Sequence, residues 1–349
     1  MAVKRYERNP LLAPADIPPL HHEGEIIGVF NAGVARWGEE TILLLRVAER
    51  PHQHADSQVR TFVYDPDAKA WSVRSFSIDD PTCDFSDERL VVTHGVTYLT
   101  SLSYLRVARS HNGFDFTLDE GVLLSPNNAY EAFGLEDPRI TFIDGTYFIH
   151  YVAVSPWGVC TVLARTSDFR TVERQGIIFG PENKDVAIFP ERLNGKYYCL
   201  HRPTAPFAQH NEIWLAESPD LMCWGNHRHL LGLRDGAWDS HKIGAGAPPV
   251  RINEGWLEIY HGANDSNCYC LGALLLDAEE PQRILARSQD PILVPEMDYE
   301  CQGFFGQVVF TCGLLHEEQL LKIYYGASDT SIAYVEIPIG DVLSSMEAI

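Results

Sequence analysis

Short β-rich runs and turns alternate along this chain, and helical periodicity is nearly absent. The clearest runs each open on a glycine: Gly95-Val-Thr-Tyr-Leu-Thr, Gly145-Thr-Tyr-Phe-Ile-His-Tyr, Gly195-Lys-Tyr-Tyr-Cys-Leu-His and Gly255-Trp-Leu-Glu-Ile-Tyr-His. Weaker members start at Gly38 and Gln319. A second series follows them: Val107-Ala-Arg-Ser-His-Asn-Gly-Phe, Leu163-Ala-Arg-Thr-Ser-Asp-Phe and Leu215-Ala-Glu-Ser-Pro-Asp-Leu. Each of these predicts a strand that ends in an Asx or Ser turn.

The glycines at 95, 145, 195 and 255 are 50, 50 and 60 residues apart. A repeat of that length with about four strands is the mark of a β-propeller blade. The pattern predicts an all-β chain and a five-bladed β-propeller over residues 24–349. Four or six blades, or a β-sandwich, are the alternatives. Residues 1–23 read as a Pro-rich N-terminal arm lying on the propeller or on a neighbouring subunit, so a homo-oligomer is possible. No Ser/Gly-rich linker divides the rest.

Charge narrows the partners. The chain carries 48 acidic against 27 basic residues, a formal net charge of −21. Such a surface repels nucleic acid and anionic membranes, so any anion site must be a local basic pocket. The N-terminus lacks an apolar signal region and no run approaches the ~18 apolar residues of a membrane span. With eight scattered cysteines read as reduced thiols, several in core strands, a cytoplasmic location is expected. No metal-ligand cluster is evident, and His21-His22 reads as a solvated loop. Gly244-Ala-Gly-Ala-Pro-Pro lacks the Lys-Ser/Thr ending of a nucleotide loop.

The stretch Phe133-Gly-Leu-Glu-Asp-Pro-Arg-Ile140 carries the strongest chemical signal. Pro138 stiffens the backbone and directs Asp137 towards an extended conformation, which aims its carboxylate. An aimed acid at a strand entrance suits cleavage of a glycosidic bond, where a carboxyl must protonate the leaving oxygen. Alone, the same residues read more readily as an Asp-Pro turn with an Arg salt bridge. Other polar residues shift the balance: Asn31, Arg46, Arg202, His261 and Asp329 follow apolar runs, and Lys242 precedes one. Each taken singly reads as a snorkelling or core-satisfied side chain. A propeller, however, brings its strand ends to one axial mouth. There Lys184, Arg202, Lys242 and His261 would surround an anion.

Taken in order, Phe30-Asn-Ala-Gly, Leu45-Arg46, Gly134-Leu-Glu-Asp-Pro-Arg, Asn183-Lys-Asp-Val-Ala-Ile-Phe-Pro-Glu, Leu200-His-Arg-Pro, Lys242-Ile-Gly-Ala-Gly-Ala-Pro-Pro, Gly255-Trp-Leu-Glu-Ile-Tyr-His-Gly and Tyr324-Tyr-Gly-Ala-Ser-Asp resemble glycoside hydrolase family 130. These are the β-mannoside phosphorylases and a smaller group of β-mannosidases. The resemblance spans about residues 10–335 and implies a five-bladed propeller. It also implies cleavage of a β-mannoside by inorganic phosphate, with inversion to α-mannose 1-phosphate and no cofactor. By position, Asp137 is the implied general acid, its proton passing through the mannose 3-hydroxyl. Asn31, Arg46, Glu136 and Asp329 are the implied mannose-binding residues. Lys184, Arg202, Lys242, His261 and Tyr269 are the implied phosphate-binding set.

That basic set favours phosphorolysis, because phosphate is already an anionic nucleophile and needs only positioning. Inversion by water needs a second carboxylate as base. For the hydrolase alternative, Glu131 or Glu182 would supply it; a non-catalytic sugar-binding propeller is the more distant alternative. Ala32, Ala247, Gln307 and Lys184 depart from common family residues without removing a charge from the phosphate set. Neither the linkage, 1,2 or 1,4, nor the acceptor sugar is fixed by these motifs.

Overall fold

The computed structural model describes residues 3–53, 57–204 and 210–349, and it is nearly all β. Antiparallel meanders succeed one another along the chain. The first contains Gly24–Trp37, Glu40–Pro51, Leu102–Ser110 and the short Thr117–Leu118. Next come Gly134–Ile143, Thr146–Ser155, Gly158–Thr166 and Glu173–Phe179. One parallel contact, Gly134 to Ser103, joins these two meanders. The third comprises Asn183–Ile188, Tyr197–Pro203, Ile213–Ser218 and Gly225–Leu231. The fourth runs through Lys242–Gly244, Gly255–Ala263, Tyr269–Leu276 and Ile284–Ser288. The last consists of Val309–Glu317, Leu320–Ala327 and Ser331–Pro338.

Both ends of the chain cover sheet edges. Lys4–Arg5 pairs with Ser331–Pro338 in the last sheet, and Met346–Ala348 pairs with Ile284–Ser288 in the fourth. Edges paired in this way are not left open as templates for other chains. The N-terminal segment is held further by Arg5, which bonds Glu300 at 2.8 Å and the Val294 carbonyl at 2.7 Å.

Apolar side chains fill the spaces between successive sheets. Leu44, Leu105, Ile149 and Val162 pack together from the first and second. Leu163, Phe179, Ile188 and Cys199 join the second to the third, and Leu200, Ile213, Trp256 and Leu274 the third to the fourth. Leu257, Leu271, Ile323 and Val335 join the fourth to the last. Val29, Leu45, Tyr324 and Tyr334 then join the last sheet back to the first.

The turns expected after the second series of runs are present and alike. Ser110 Oγ accepts from the Gly113 amide at 2.9 Å, Thr166 Oγ1 from Phe169 at 3.0 Å, and Ser218 Oγ from Leu221 at 2.9 Å. Asn112, Asp168 and Asp220 then accept from the backbone that follows each of them. The glycine series needs correction at its first member. Gly95 turns between Leu90–Thr93 and Val96–Leu99 in a small three-stranded sheet. That sheet and the hairpin of Gln58–Asp65 with Ala70–Ser77 are inserted between the second and third strands of the first meander. A tight hairpin asks for a left-handed glycine in any sheet, so Gly95 (φ 77°) and Gly145 (φ 81°) look alike in sequence. Gly38 (φ 59°) marks the corresponding hairpin of the first meander.

His21 also departs from expectation. Its ring packs against Trp71 and Phe62, with centroids 4.3 and 4.8 Å away, while His22 is exposed. The cysteines are unpaired, and Cys160 and Cys199 are buried. Among the described residues no helix is long and apolar enough to cross a membrane.

Candidate active site

The first strands of three meanders share one irregularity. Register with the partner strand shifts between Phe30 and Gly33, between Glu136 and Arg139, and between Lys184 and Ala187. At each bulge a non-glycine residue takes a left-handed backbone: Asn31 (φ 50°), Asp137 (φ 47°) and Asp185 (φ 53°). A bulge breaks the in–out alternation and re-aims a side chain. Residues held in this region cost on the order of 1–3 kcal/mol each, so the surroundings must fix them. Asp137 is therefore not extended, as Pro138 led us to expect. The local preference yields to the bulge and to the groups that grip the carboxylate.

Those groups are specific. Arg46 Nη1 donates to Asp137 Oδ1 at 2.8 Å, and its Nη2 donates to Glu136 Oε1 at 2.7 Å. Asn31 Nδ2 donates to the same Asp137 oxygen at 2.9 Å. Arg46 also lies over the Phe30 ring, 4.5 Å from its centroid. Close packing makes room for this arrangement: a Cβ on Gly326 would come within 2.2 Å of Asn31 Oδ1.

A cavity of about 270 Å³ collects nearly all the residues singled out above. Asn31, Arg46, Glu136, Asp137, Lys184, Arg202, His261, Tyr269 and Asp329 all line it. Lys242 does not reach its wall and lies behind Tyr269, with Nζ 5.2 Å from the ring centroid. The Gly244 turn serves as clearance rather than as a phosphate loop. A Cβ there would meet Asp185 Oδ2 at 2.3 Å and His261 Cε1 at 2.6 Å.

Glu131 and Glu182 stand outside the cavity lining. Glu131 is fully buried and accepts from Tyr151 at 2.7 Å and Arg174 at 3.2 Å. Glu182 accepts from Thr204 at 3.4 Å. The carboxylates that do line the cavity are Glu136, Asp137, Asp185 and Asp329.

Two of the charged lining residues were not singled out from sequence. Asp185 lies inside the Asn183-Lys-Asp motif, yet its position at a bulge matching that of Asp137 could have marked it. It contacts Arg202 Nη2 at 2.9 Å and His261 Nε2 at 3.4 Å. Arg89 comes from the inserted sheet and has no counterpart in the repeats, so the pattern carried no signal for it. Its Nε and Nη2 bond Asp87 at 2.9 and 2.7 Å, and the guanidinium stacks 4.1 Å from the Phe305 centroid.

The electrostatics divide by location. Burial works to raise the Asp137 pKa, but the Arg46 and Lys184 charges and the Asn31 hydrogen bond outweigh it and hold the carboxyl below its ordinary value. Asp329 goes the other way: burial, with Asp137 and Glu136 nearby, pushes it up to about 6 against the pull of Arg46 and Arg89. Burial and the charges of Arg202, Arg89 and Lys184 lower Lys242 to about 8. Burial lowers His261 to about 4, so it is neutral at pH 7. The site thus opposes an acidic cluster, gripped by Arg46, to a basic one. That arrangement can hold a neutral sugar beside an anion.

Comparison with known proteins agrees with this chemistry. Residues 80–348 match the family Glyco_hydro_130, described as beta-1,4-mannooligosaccharide phosphorylase. The chain belongs to glycoside hydrolase family 130. A beta-1,2-mannobiose phosphorylase from Listeria innocua serovar 6a is 49% identical over 99% of both chains. Its solved structure, a beta-1,2-mannobiose complex, superposes with a TM-score of 0.97 over 99% of each chain. A 1,2-beta-oligomannan phosphorylase from Thermoanaerobacter is 37% identical over 70% of this chain and 81% of its own. A solved family member at 20% identity shares the fold over 97% of this chain and 94% of its own, with a TM-score of 0.74.

Proposed function

We propose that this family member is an inverting β-mannoside phosphorylase built as a five-bladed propeller, each meander being one blade. The axial mouth would be the cavity that holds Asp137. The ring of apolar cores, which returns from the last sheet to the first, supports the propeller reading. One observation carries the function: a gripped carboxylate and a basic cluster line the same cavity.

In this reading Asn31, Arg46, Glu136 and Asp329 hold the non-reducing mannose. Lys184, Arg202, His261 and Tyr269 hold phosphate, with Lys242 adding charge from behind Tyr269. A phosphate oxygen attacks the anomeric carbon from the face opposite the leaving group. The C–O bond to the acceptor sugar breaks, and that oxygen takes a proton originating on Asp137 through the mannose 3-hydroxyl. The products are α-mannose 1-phosphate and the shortened sugar. The nucleophile needs no activating base, only positioning, and in this reading the enzyme works without a metal or organic cofactor.

The lowered Asp137 pKa is awkward for an acid. Phosphate beside Lys184 resolves it: the incoming negative charge offsets the cation that favours the ionised carboxylate, so the loaded site is the one in which Asp137 can carry a proton. The Listeria and Thermoanaerobacter relatives are named for β-1,2-linked substrates, and we take β-1,2-mannobiose as the first substrate to test. The reduced cysteines fit work in a reducing compartment such as the cytoplasm.

The test is incubation with β-1,2- and β-1,4-mannobiose, with and without inorganic phosphate, assayed for mannose 1-phosphate. Product from the 1,2-linked sugar only when phosphate is present is the expected result. Free mannose in phosphate-free buffer would make the protein a hydrolase.

A further inference from the structure

We infer that Arg139 and Asp185 form a buried strut that sets the proton donor at a fixed position relative to the phosphate pocket. The inference rests on the phosphorolytic reading above and goes beyond it. Arg139 is 1% exposed and makes four bonds in different directions. Its Nε donates to the Gly246 carbonyl at 2.6 Å and its Nη2 to the Ala245 carbonyl at 2.8 Å. Nη1 donates to the Asp137 carbonyl at 3.3 Å, and Nη2 also reaches Asp185 Oδ1 at 3.3 Å. The other oxygen of Asp185 faces Arg202 Nη2 at 2.9 Å and His261 Nε2 at 3.4 Å. A continuous path of polar contacts therefore runs from the main chain of Asp137 to two residues of the phosphate set.

The strut joins two bulges. Arg139 ends the irregularity that aims Asp137, and Asp185 sits within the one that follows Lys184. The groups around Arg139 leave Asp185 as its charged side-chain partner. Burial raises the Glu258 carboxyl well above its ordinary value, and its Oε1 accepts from the Gly246 amide at 2.8 Å. Burial, then the Arg139 charge, lowers His150 to about 3, and burial raises the Cys312 thiol. Asp185 is held well below its ordinary value: burial opposes this, but Arg202, His261 and Arg139 prevail.

A buried ion pair is a weak source of stability compared with apolar packing. What it supplies here is geometry. The planar guanidinium fixes three carbonyls and a carboxylate at set angles, which a lysine cannot do. Asp185 takes one edge of Arg202, whose buried Nε has no hydrogen-bond partner among the described residues. In-line attack is sensitive to placement, and an error of 1 Å costs about a hundredfold in rate. Arg139 and Asp185 are thus positioning residues, since neither delivers the proton or attacks the sugar.

The experiment compares Arg139→Lys and Asp185→Asn with the wild-type chain under phosphorolysis of β-1,2-mannobiose. It reads kcat, both KM values, the dissociation constant of inorganic phosphate by calorimetry, and the thermal midpoint. For Arg139→Lys we expect kcat to fall about a hundredfold, with mannobiose KM and phosphate affinity within about threefold of wild type. For Asp185→Asn we expect the same fall in kcat without weaker phosphate binding, because a negative charge has left the pocket. The paired change Arg139→Met with Asp185→Asn removes both charges together, so it tests the geometry even when the single Asn variant does not fold. A folded Arg139→Lys protein that keeps its kcat overturns the strut. So does a loss in which kcat, affinities and thermal midpoint decline together. A wild-type chain that makes no phosphate-dependent product overturns the underlying functional reading, a failure visible before any variant is compared.

Discussion

Asn31 donates its side-chain amide to Asp137 across 106 positions of sequence, and both residues hold left-handed backbones at bulges of neighbouring meanders. Each residue aims the other. The bond leaves Asp137 Oδ1 shared between Asn31 and Arg46, while the carboxylate still lines the cavity. Asp137→Asn keeps the size of the side chain but removes its titratable carboxyl. We expect phosphorolysis to fall by about 10²- to 10⁴-fold, with the far-ultraviolet spectrum close to wild type and a lower thermal midpoint, because the charge paired with Arg46 is lost. Near-full turnover in steady-state assays would remove Asp137 from the role of acid.

Arg46 is the counter-charge for two carboxylates at once, Glu136 and Asp137. Arg46→Met keeps the apolar stem over Phe30 but strands both acids in a largely buried site. Breaking such a pair from one side costs about 3–5 kcal/mol. We expect a clearly lower denaturation midpoint, together with a higher KM for the mannoside and little change in KM for phosphate. Equal shifts in both KM values would place Arg46 in general support of the site rather than on the sugar side.

The sequence made most of this site legible because its residues sit at the ends of apolar runs, where a charged group has no packing role. Asn31, Arg46, Arg202, His261 and Asp329 all stood out in that way, Asp137 stood out through its Glu-Asp-Pro-Arg stretch, and all line the cavity. What stayed hidden was hidden for physical reasons. Arg89 reaches the cavity from an inserted sheet, where the repeat gives no position to compare. The left-handed backbone of Asp137 is a tertiary effect, set by Asn31 and Arg46 against the local influence of Pro138. Gly95 misled because a hairpin turn needs the same glycine whether or not its sheet belongs to the repeat. Asp185 was written in a quoted motif, but its contacts with Arg139, Arg202 and His261 exist only once three sheets meet.

Asp329 predicts an acid limb. Its pKa stands near 6 because burial and neighbouring carboxylates disfavour the charge. In the unfolded chain an Asp titrates near 3.9. Between those values the folded state binds more protons, so ionised Asp329 lowers stability, and the cost is complete above about pH 6. Asp329→Asn should therefore raise stability at pH 8, by about 1–3 kcal/mol, while weakening mannoside binding. Denaturant melts at pH 5 and pH 8 give the test: the gain from Asn should shrink at the lower pH. A gain independent of pH would mean that the carboxylate is not strained by its charge.

Lys242 predicts the opposite limb. Burial and the charges of Arg202, Arg89 and Lys184 bring its pKa down from 10.5 to about 8. Above about pH 8 the ammonium is lost from the folded protein while the unfolded chain still binds that proton, so this residue makes stability rise with pH between about 8 and 10.5. Phosphate binding has the reverse dependence, because it needs the positive charge behind Tyr269. The KM for phosphate should be flat below about pH 8 and rise above it as Lys242 deprotonates. Bound phosphate adds a nearby anion, which favours the ammonium and draws in a proton on binding at pH 8.5. Calorimetry in two buffers of different ionisation enthalpy would detect that proton. Lys242→Met should abolish both the proton uptake and the rise in KM, leaving a weaker phosphate affinity that no longer changes between pH 7.5 and pH 9. Uptake that persists in the Met variant would assign the limb to another group of the pocket.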